Sequence, residues 1–316
     1  MKTTTKLFAL VLALPLLAGC GKTKEPKFKN FGEQVSFEDF FGGYQLRMTE
    51  LEFGKEDPLG SRELKAVTQA TITQETTRKG DTAMKSSVEG KKTDVYQYDS
   101  ESKIFRNTEK MTYDIRAKAP IGEEHMKLQS DEEHLYQRYS EGGESYAINV
   151  DVKGKGYKSV LKCTEAMPYD KYIDMQVKDR MGYGLISDFS SVVARYQTAS
   201  DEVKAKYTFF KNENVYSIAF GDNTNEDIKN GADEVVANKT VEYHLKVQVD
   251  LGDDLTFASF EDKHTTTQYQ KEYDDHTAFD CVDQHEVSST EGGVTEFKKS
   301  LKEADLSGYI KYGIDW

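Results

Sequence analysis

From Glu63 to about Lys155 the chain alternates apolar and polar residues with a period of two. Met111, Tyr113 and Ile115 are interleaved with Thr112, Asp114 and Arg116, and Tyr146, Ile148, Val150 and Val152 with Ala147, Asn149, Asp151 and Lys153. Successive side chains of a strand point to opposite faces, so this pattern predicts strands with one face buried and one wet, which favours antiparallel sheets. Turn-forming clusters at Lys79-Gly80-Asp81, Asp99-Ser100-Glu101-Ser102 and Glu141-Gly142-Gly143-Glu144 divide the run into hairpins. The pattern returns in Tyr207 to Lys211, turns at Asn212-Glu213-Asn214, and continues through Tyr216, Ile218 and Phe220. It is clearest where Val241, Tyr243, Leu245, Val247 and Val249 alternate with Glu242, His244, Lys246 and Gln248. Gly252-Asp253-Asp254 then turns the chain back into Leu255, Thr256 and Phe257, a hairpin. The C-terminus sets Ile310, Tyr312, Ile314 and Trp316 on one side.

Two stretches change period. Ser36 and Asp39 form an S-x-x-D cap, in which the serine oxygen accepts an exposed helix N–H. Phe37, Phe41, Tyr44, Met48 and Leu51 follow at three- and four-residue steps, which predicts a helix with one apolar stripe, weakened by Gly42 and Gly43. Leu185, Ile186, Phe189, Val192, Val193 and Tyr196 predict a second helix, with Tyr169 to Arg180 a possible helix before it. The order helix, hairpins, helix, hairpins fits either two halves, 36–166 and 167–316, or one continuous sheet.

The first twenty residues follow another rule. Lys2 and Lys6 precede an unbroken apolar run from Leu7 to Ala18, too short for a bilayer span of roughly 20 residues but the length of a signal-peptide core. It ends in Leu17-Ala18-Gly19-Cys20. This segment resembles the signal and lipobox of bacterial lipoproteins. The resemblance covers residues 1–20 and implies that Cys20 Sγ receives a diacylglyceryl group, that residues 1–19 are removed, and that Cys20 becomes the N-terminus. Two acyl chains hold a protein stably to a membrane where one does not. Residues 20–35 have little periodicity and read as a lipid-anchored tether, leaving 36–316 as an extracytoplasmic β-rich domain.

The whole chain carries 42 Lys and Arg against 55 Asp and Glu, a net charge of −13. Losing Lys2 and Lys6 would leave 40 against 55, or −15. Such a body repels phosphate backbones, which argues against nucleic acid as a partner. Lys22, Lys24, Lys27 and Lys29 beside the anchor could meet anionic head groups, although a solvated tether is the plainer reading. Hydrophobic residues at 37% and aromatic residues at 11% suffice for a folded core. No second apolar segment approaches the length of a membrane span.

With Cys20 assigned to lipid, Cys163 and Cys281 remain. An exported setting permits a disulfide between them, and two free thiols are the alternative. Near the second, Cys281, Asp283 and His285 would share one face of a strand and could offer three ligands to zinc or copper. The competing reading is the charged face of an edge strand. Lys153-Gly154-Lys155-Gly156-Tyr157-Lys158-Ser159 lacks P-loop spacing. Ser159-Val160-Leu161-Lys162 matches S-x-x-K, but neither S-D-N nor K-T-G accompanies it. No motif names a catalytic residue or a cofactor. Tyrosines on strand faces could stack on sugars, yet strands favour them in any case.

The expected architecture is α+β: a twisted, mostly antiparallel sheet, either open or curved into a half-barrel, with two or more helices packed against it. In outline this is similar to lipoprotein half-barrels of the LolA and LppX type, which hold acyl chains between sheet and helix. The similarity rests on lipobox and element order alone, so no residue is carried over. Two functional classes follow. One is a membrane-anchored, non-catalytic binding module for a lipid or other apolar ligand, which needs an open apolar cavity. The other is a surface or assembly component that binds another protein and shows an exposed apolar patch or an unprotected edge strand.

Overall fold

The computed structural model describes residues 28–53, 60–153, 158–252, 257–291 and 309–312. In chain order the elements are β1 (Glu33–Val35), α1 (Phe37–Phe53), β2 (Arg62–Arg78), β3 (Asp81–Asp99), β4 (Ile104–Ala119), β5 (Gly122–Glu141), β6 (Glu144–Asp151) and β7 (Ser159–Lys162). There follow α2 (Tyr169–Val177), a π-helical stretch (Lys178–Tyr183), α3 (Gly184–Thr198) and the short α4 (Asp201–Lys204). The chain closes with β8 (Tyr207–Asn212), β9 (Val215–Lys229), β10 (Val235–Asp250), β11 (Phe257–Gln270), β12 (Asp275–Glu291) and β13 (Ile310–Tyr312).

All thirteen strands lie in one open sheet, ordered β1-β8-β9-β10-β11-β12-β2-β3-β4-β5-β6-β7-β13. Every pairing is antiparallel except that of β13 with β7. The two halves distinguished in sequence meet where β12 pairs with β2, from Asp275 opposite Arg78 to Glu291 opposite Arg62. The sheet is therefore continuous across them. Tight turns fall where the sequence places them. At Lys79-Gly80 both residues have positive φ, 52° and 85°, the mirror-image turn whose twist matches the flanking strands.

The long strands have two distinct ends. At the base, beside Arg62, Asp99, Glu141 and Asp250, helices cover one face of the sheet. Ser36 Oγ accepts from the Asp39 N–H at 3.1 Å and starts α1 as expected. Phe40, fully buried, meets Phe209 of β8 and Tyr216 of β9 at ring separations of 5.0 and 5.7 Å, and Phe189 of α3 at 5.9 Å. Leu245, Val247, Val249, Leu64, Tyr98 and Phe105 join the same core from the sheet. Toward the tip, beyond the helices, the sheet continues as a blade. β10 alone has 16 residues, so base and tip lie about 50 Å apart at 3.2–3.4 Å per residue.

Three expectations are corrected. Residues 28–35, read as part of the tether, are docked on the sheet. Gln248, with no exposure, accepts from the Lys29 N–H through Oε1 at 2.6 Å and donates to the Lys29 carbonyl through Nε2 at 3.1 Å. Gly32 has φ +83°, and a Cβ there would lie 2.4 Å from the Lys211 carbonyl oxygen, so glycine allows the close approach to β8. Glu33–Val35 then pair with Phe209–Lys211 as β1. Second, Cys163 and Cys281 are free thiols. Cys163 follows β7 and Cys281 lies within β12, six strands away, or roughly 29 Å along the sheet. A disulfide needs Cα atoms within about 7 Å. Third, β12 is a central strand, flanked by β11 and β2, and not an edge. Residues 1–27, including Cys20, the turn residues Asp253 and Asp254 with Leu255 and Thr256, and the pair Ile314 and Trp316 lie outside the described residues.

Candidate functional site

On the helix-covered face the strand register stacks side chains in rows. Tyr243, His264, Cys281 and Ile72 form one row across β10, β11, β12 and β2. Leu245, Asp262, Asp283 and Ala70 form the next, and Val247, Phe260, His285 and Thr68 the third. Cys281, Asp283 and His285 do share a face, as the period of two requires. Their side chains are engaged elsewhere. His285 Nδ1 lies 2.8 Å from Asp188 Oδ2 on α3, and Nε2 lies 3.2 Å from Asp283 Oδ1. Burial opposes the imidazolium, but hydrogen bonds and charge from Asp188 and Asp283 outweigh it and raise its pKa to about 10. The ring is therefore a cation at neutral pH, with both nitrogens protonated. Protonated nitrogens cannot ligate a metal. Among the described residues no group of three His, Cys, Asp or Glu side chains is placed to hold a metal ion, which corrects the ligand-row reading.

Just tipward of α3 an open trough of about 500 Å³ is lined by Val241, Tyr243, Asp262, His264, Cys281 and Asp283. Tyr243 donates to Asp262 Oδ2 at 2.8 Å and accepts from Arg195 Nη1 of α3 at 3.0 Å. Burial raises the pKa of Asp262, against the hydrogen bond from Tyr243 and with support from the facing Asp283 carboxylate. Cys281 is pushed up to about 11, first by burial and then by Asp283 and Asp262. A nucleophilic cysteine needs the reverse, a positive surrounding that lowers its pKa. The trough is a polar brace between α3 and the sheet.

Among the described residues, the space between α3 and the sheet is small. The cavity between α3 and the sheet, bounded by Phe189, Val247, Phe260 and His285, measures about 10 Å³. That is room for about one water molecule, and an acyl chain needs far more. The S-x-x-K residues form β7, where Lys162 Nζ pairs with Glu144 at 3.2 Å. Tyr98, Tyr169 and Tyr216 are buried in the core and present no sugar platform.

The features that sequence reading missed are at the sides of the blade. β6 pairs with β5 only from His134 to Glu141, and β8 with β9 only from Val215 to Phe220. Among the described residues, Gly122 to Ser130 on one side and Asp222 to Lys229 on the other therefore pair along one edge only. Ile121 is 85% exposed, Leu128 46% and Met126 38%, large apolar residues at or beside the β5 edge. The cue in sequence is a mismatch of lengths, since long alternating stretches stand beside short ones that cannot cover them.

No family model matches the chain. No curated protein matches it either. Among solved structures it is similar, at low level, to the outer membrane protease OmpT from Escherichia coli, with 6% identity, TM-score 0.18, and 73% of this chain and 97% of that one covered. Pseudomonas putida OprB gives 7% identity and TM-score 0.20, over 82% and 100% of the two chains. The beta domain of the Bordetella autotransporter BrkA gives 7% and 0.17, over 72% and 99%. Scores this low assign neither a fold nor a function to this chain.

Proposed function

We propose that the protein is a lipid-anchored, non-catalytic module of the bacterial cell envelope that recognises another protein through the side of its blade. The observation that carries this reading is the pairing limit of β5 and β9, which among the described residues leaves two strand edges with unspent backbone donors and acceptors. Anchoring at Cys20 rests on the lipobox resemblance. Seven residues lie between Cys20 and Phe28, and the eight Cα steps reach at most about 29 Å. The docked Lys29 lies near the base, so an acylated Cys20 would hold the base near the bilayer and point the tip away from it.

The apolar-ligand reading has one observation in its favour. Ile72, Val88, Ile115 and Met126 stand side by side on the blade, beyond the helices. The tight packing between α3 and the sheet weighs against an acyl chain held there. Native mass spectrometry of the full chain released from detergent micelles separates the two readings. Protein recognition predicts the mass of the acylated chain alone. A retained phospholipid or other apolar ligand would overturn it in favour of the first class.

A further inference from the structure

The row Ile72, Val88, Ile115 and Met126 crosses β2, β3, β4 and β5 and ends at an open strand edge. A second row, Ala70, Gly90, Tyr113 and Leu128, runs beside it and ends at the same edge. In a sheet such rows continue for as long as strands are added, because directly opposed side chains are neighbours. Along this face of β5 the order is Glu124, Met126, Leu128, Ser130, Glu132, so two carboxylates bracket the apolar pair. On the opposite face, Glu123 is paired with Lys118 at 2.6 Å and Asp131 with Lys153. Residues 121–129 are all exposed.

We propose that the β5 edge from Gly122 to Ser130 receives an extended segment of a partner protein as an added strand, with apolar residues at alternate positions between two basic ones. This rests on the protein-recognition reading and specifies its surface and chemistry. Backbone pairing supplies the attachment, and alternate side chains supply the choice of partner. Apolar residues of the incoming strand extend the rows at Met126 and Leu128; one basic residue faces Glu124, and the other, opposite Ser130, reaches diagonally to Glu132. A second copy of this chain is a poor occupant. Antiparallel self-pairing centred on Leu128 would set Glu124 of one copy against Glu132 of the other, and like charges directly opposed are destabilising. The β9 edge is guarded differently. Its residues on the same face are Asp222, Thr224, Glu226 and Ile228, so one exposed isoleucine near the tip stands there in place of the adjacent apolar pair of β5.

The test uses the full acylated chain in neutral phosphatidylcholine vesicles and the peptide Lys-Thr-Val-Gln-Val-Thr-Lys. Hydrogen exchange read by mass spectrometry reports which backbone amides gain protection. The expected result is slowed exchange confined to 122–130, abolished when the peptide is N-methylated at alternate residues. The double variant Glu124→Lys, Glu132→Lys is expected to weaken peptide binding at least about tenfold, by like-charge opposition. Protection at 222–229 instead would overturn the assignment to β5 while leaving edge recognition standing. Equal protection by the N-methylated peptide, or none at millimolar peptide, would overturn the proposal. A co-purified apolar ligand in the mass spectrum would remove the reading beneath it.

Discussion

His285 of β12 and Asp188 of α3 are joined by a 2.8 Å contact between Nδ1 and Oδ2, which ties the central helix to the middle of the sheet. The folded pKa of His285, about 10, lies above its ordinary value of 6.5. The stability this contributes is complete below about pH 6.5 and is lost as pH rises towards 10. Hydrogen bonds to charged groups are worth on the order of 1–3 kcal/mol. Urea unfolding should show stability falling by that order between pH 7 and 10, and His285→Asn should flatten the slope. The same slope in both proteins would refute the tie.

The N-terminal segment hangs on Gln248. Its amide makes both bonds to the Lys29 backbone and donates to Ser217 Oγ at 2.9 Å. Gln248→Ala strands these partners, at a cost of about 1–3 kcal/mol. Trypsin cleavage after Lys29 should quicken while the sheet stays intact by circular dichroism. Unchanged cleavage would mean that the segment is held by other contacts.

Cys281 should be a slow thiol. With a pKa of about 11, roughly one molecule in a thousand is thiolate at pH 8. Alkylation of the native protein at that pH should leave Cys281 largely unmodified. The acylated, denatured and unreduced chain should take up two alkyl groups, at Cys163 and Cys281. No modification at either site would point to a disulfide, which blocks both thiols.

Much of the secondary structure was legible because the period of two depends only on which face is wet. The Ser36 cap, the turn at Lys79-Gly80 and the hairpin entered at Val241 all sit where local chemistry places them. What local chemistry cannot express is which strands meet. The β12–β2 pairing joins residues some two hundred positions apart, and nothing near Cys281 indicates that Ile72 is its neighbour. The row Cys281, Asp283 and His285 was read correctly as a shared face. Its use was not legible, since Asp188 reaches it from a helix almost a hundred residues earlier. The short tether was misjudged for the same reason. Lys29 is polar and aperiodic, and it is ordered by a glutamine 219 positions away.

Acylation of Cys20 is the central proposal, because such an anchor would fix where the base lies and which way the blade points. Metabolic labelling with an alkyne fatty acid, followed by click detection on the purified chain, tests this directly. The label is expected on the wild type and absent from Cys20→Ser. An unlabelled wild type, or a variant that keeps the label, would contradict the account.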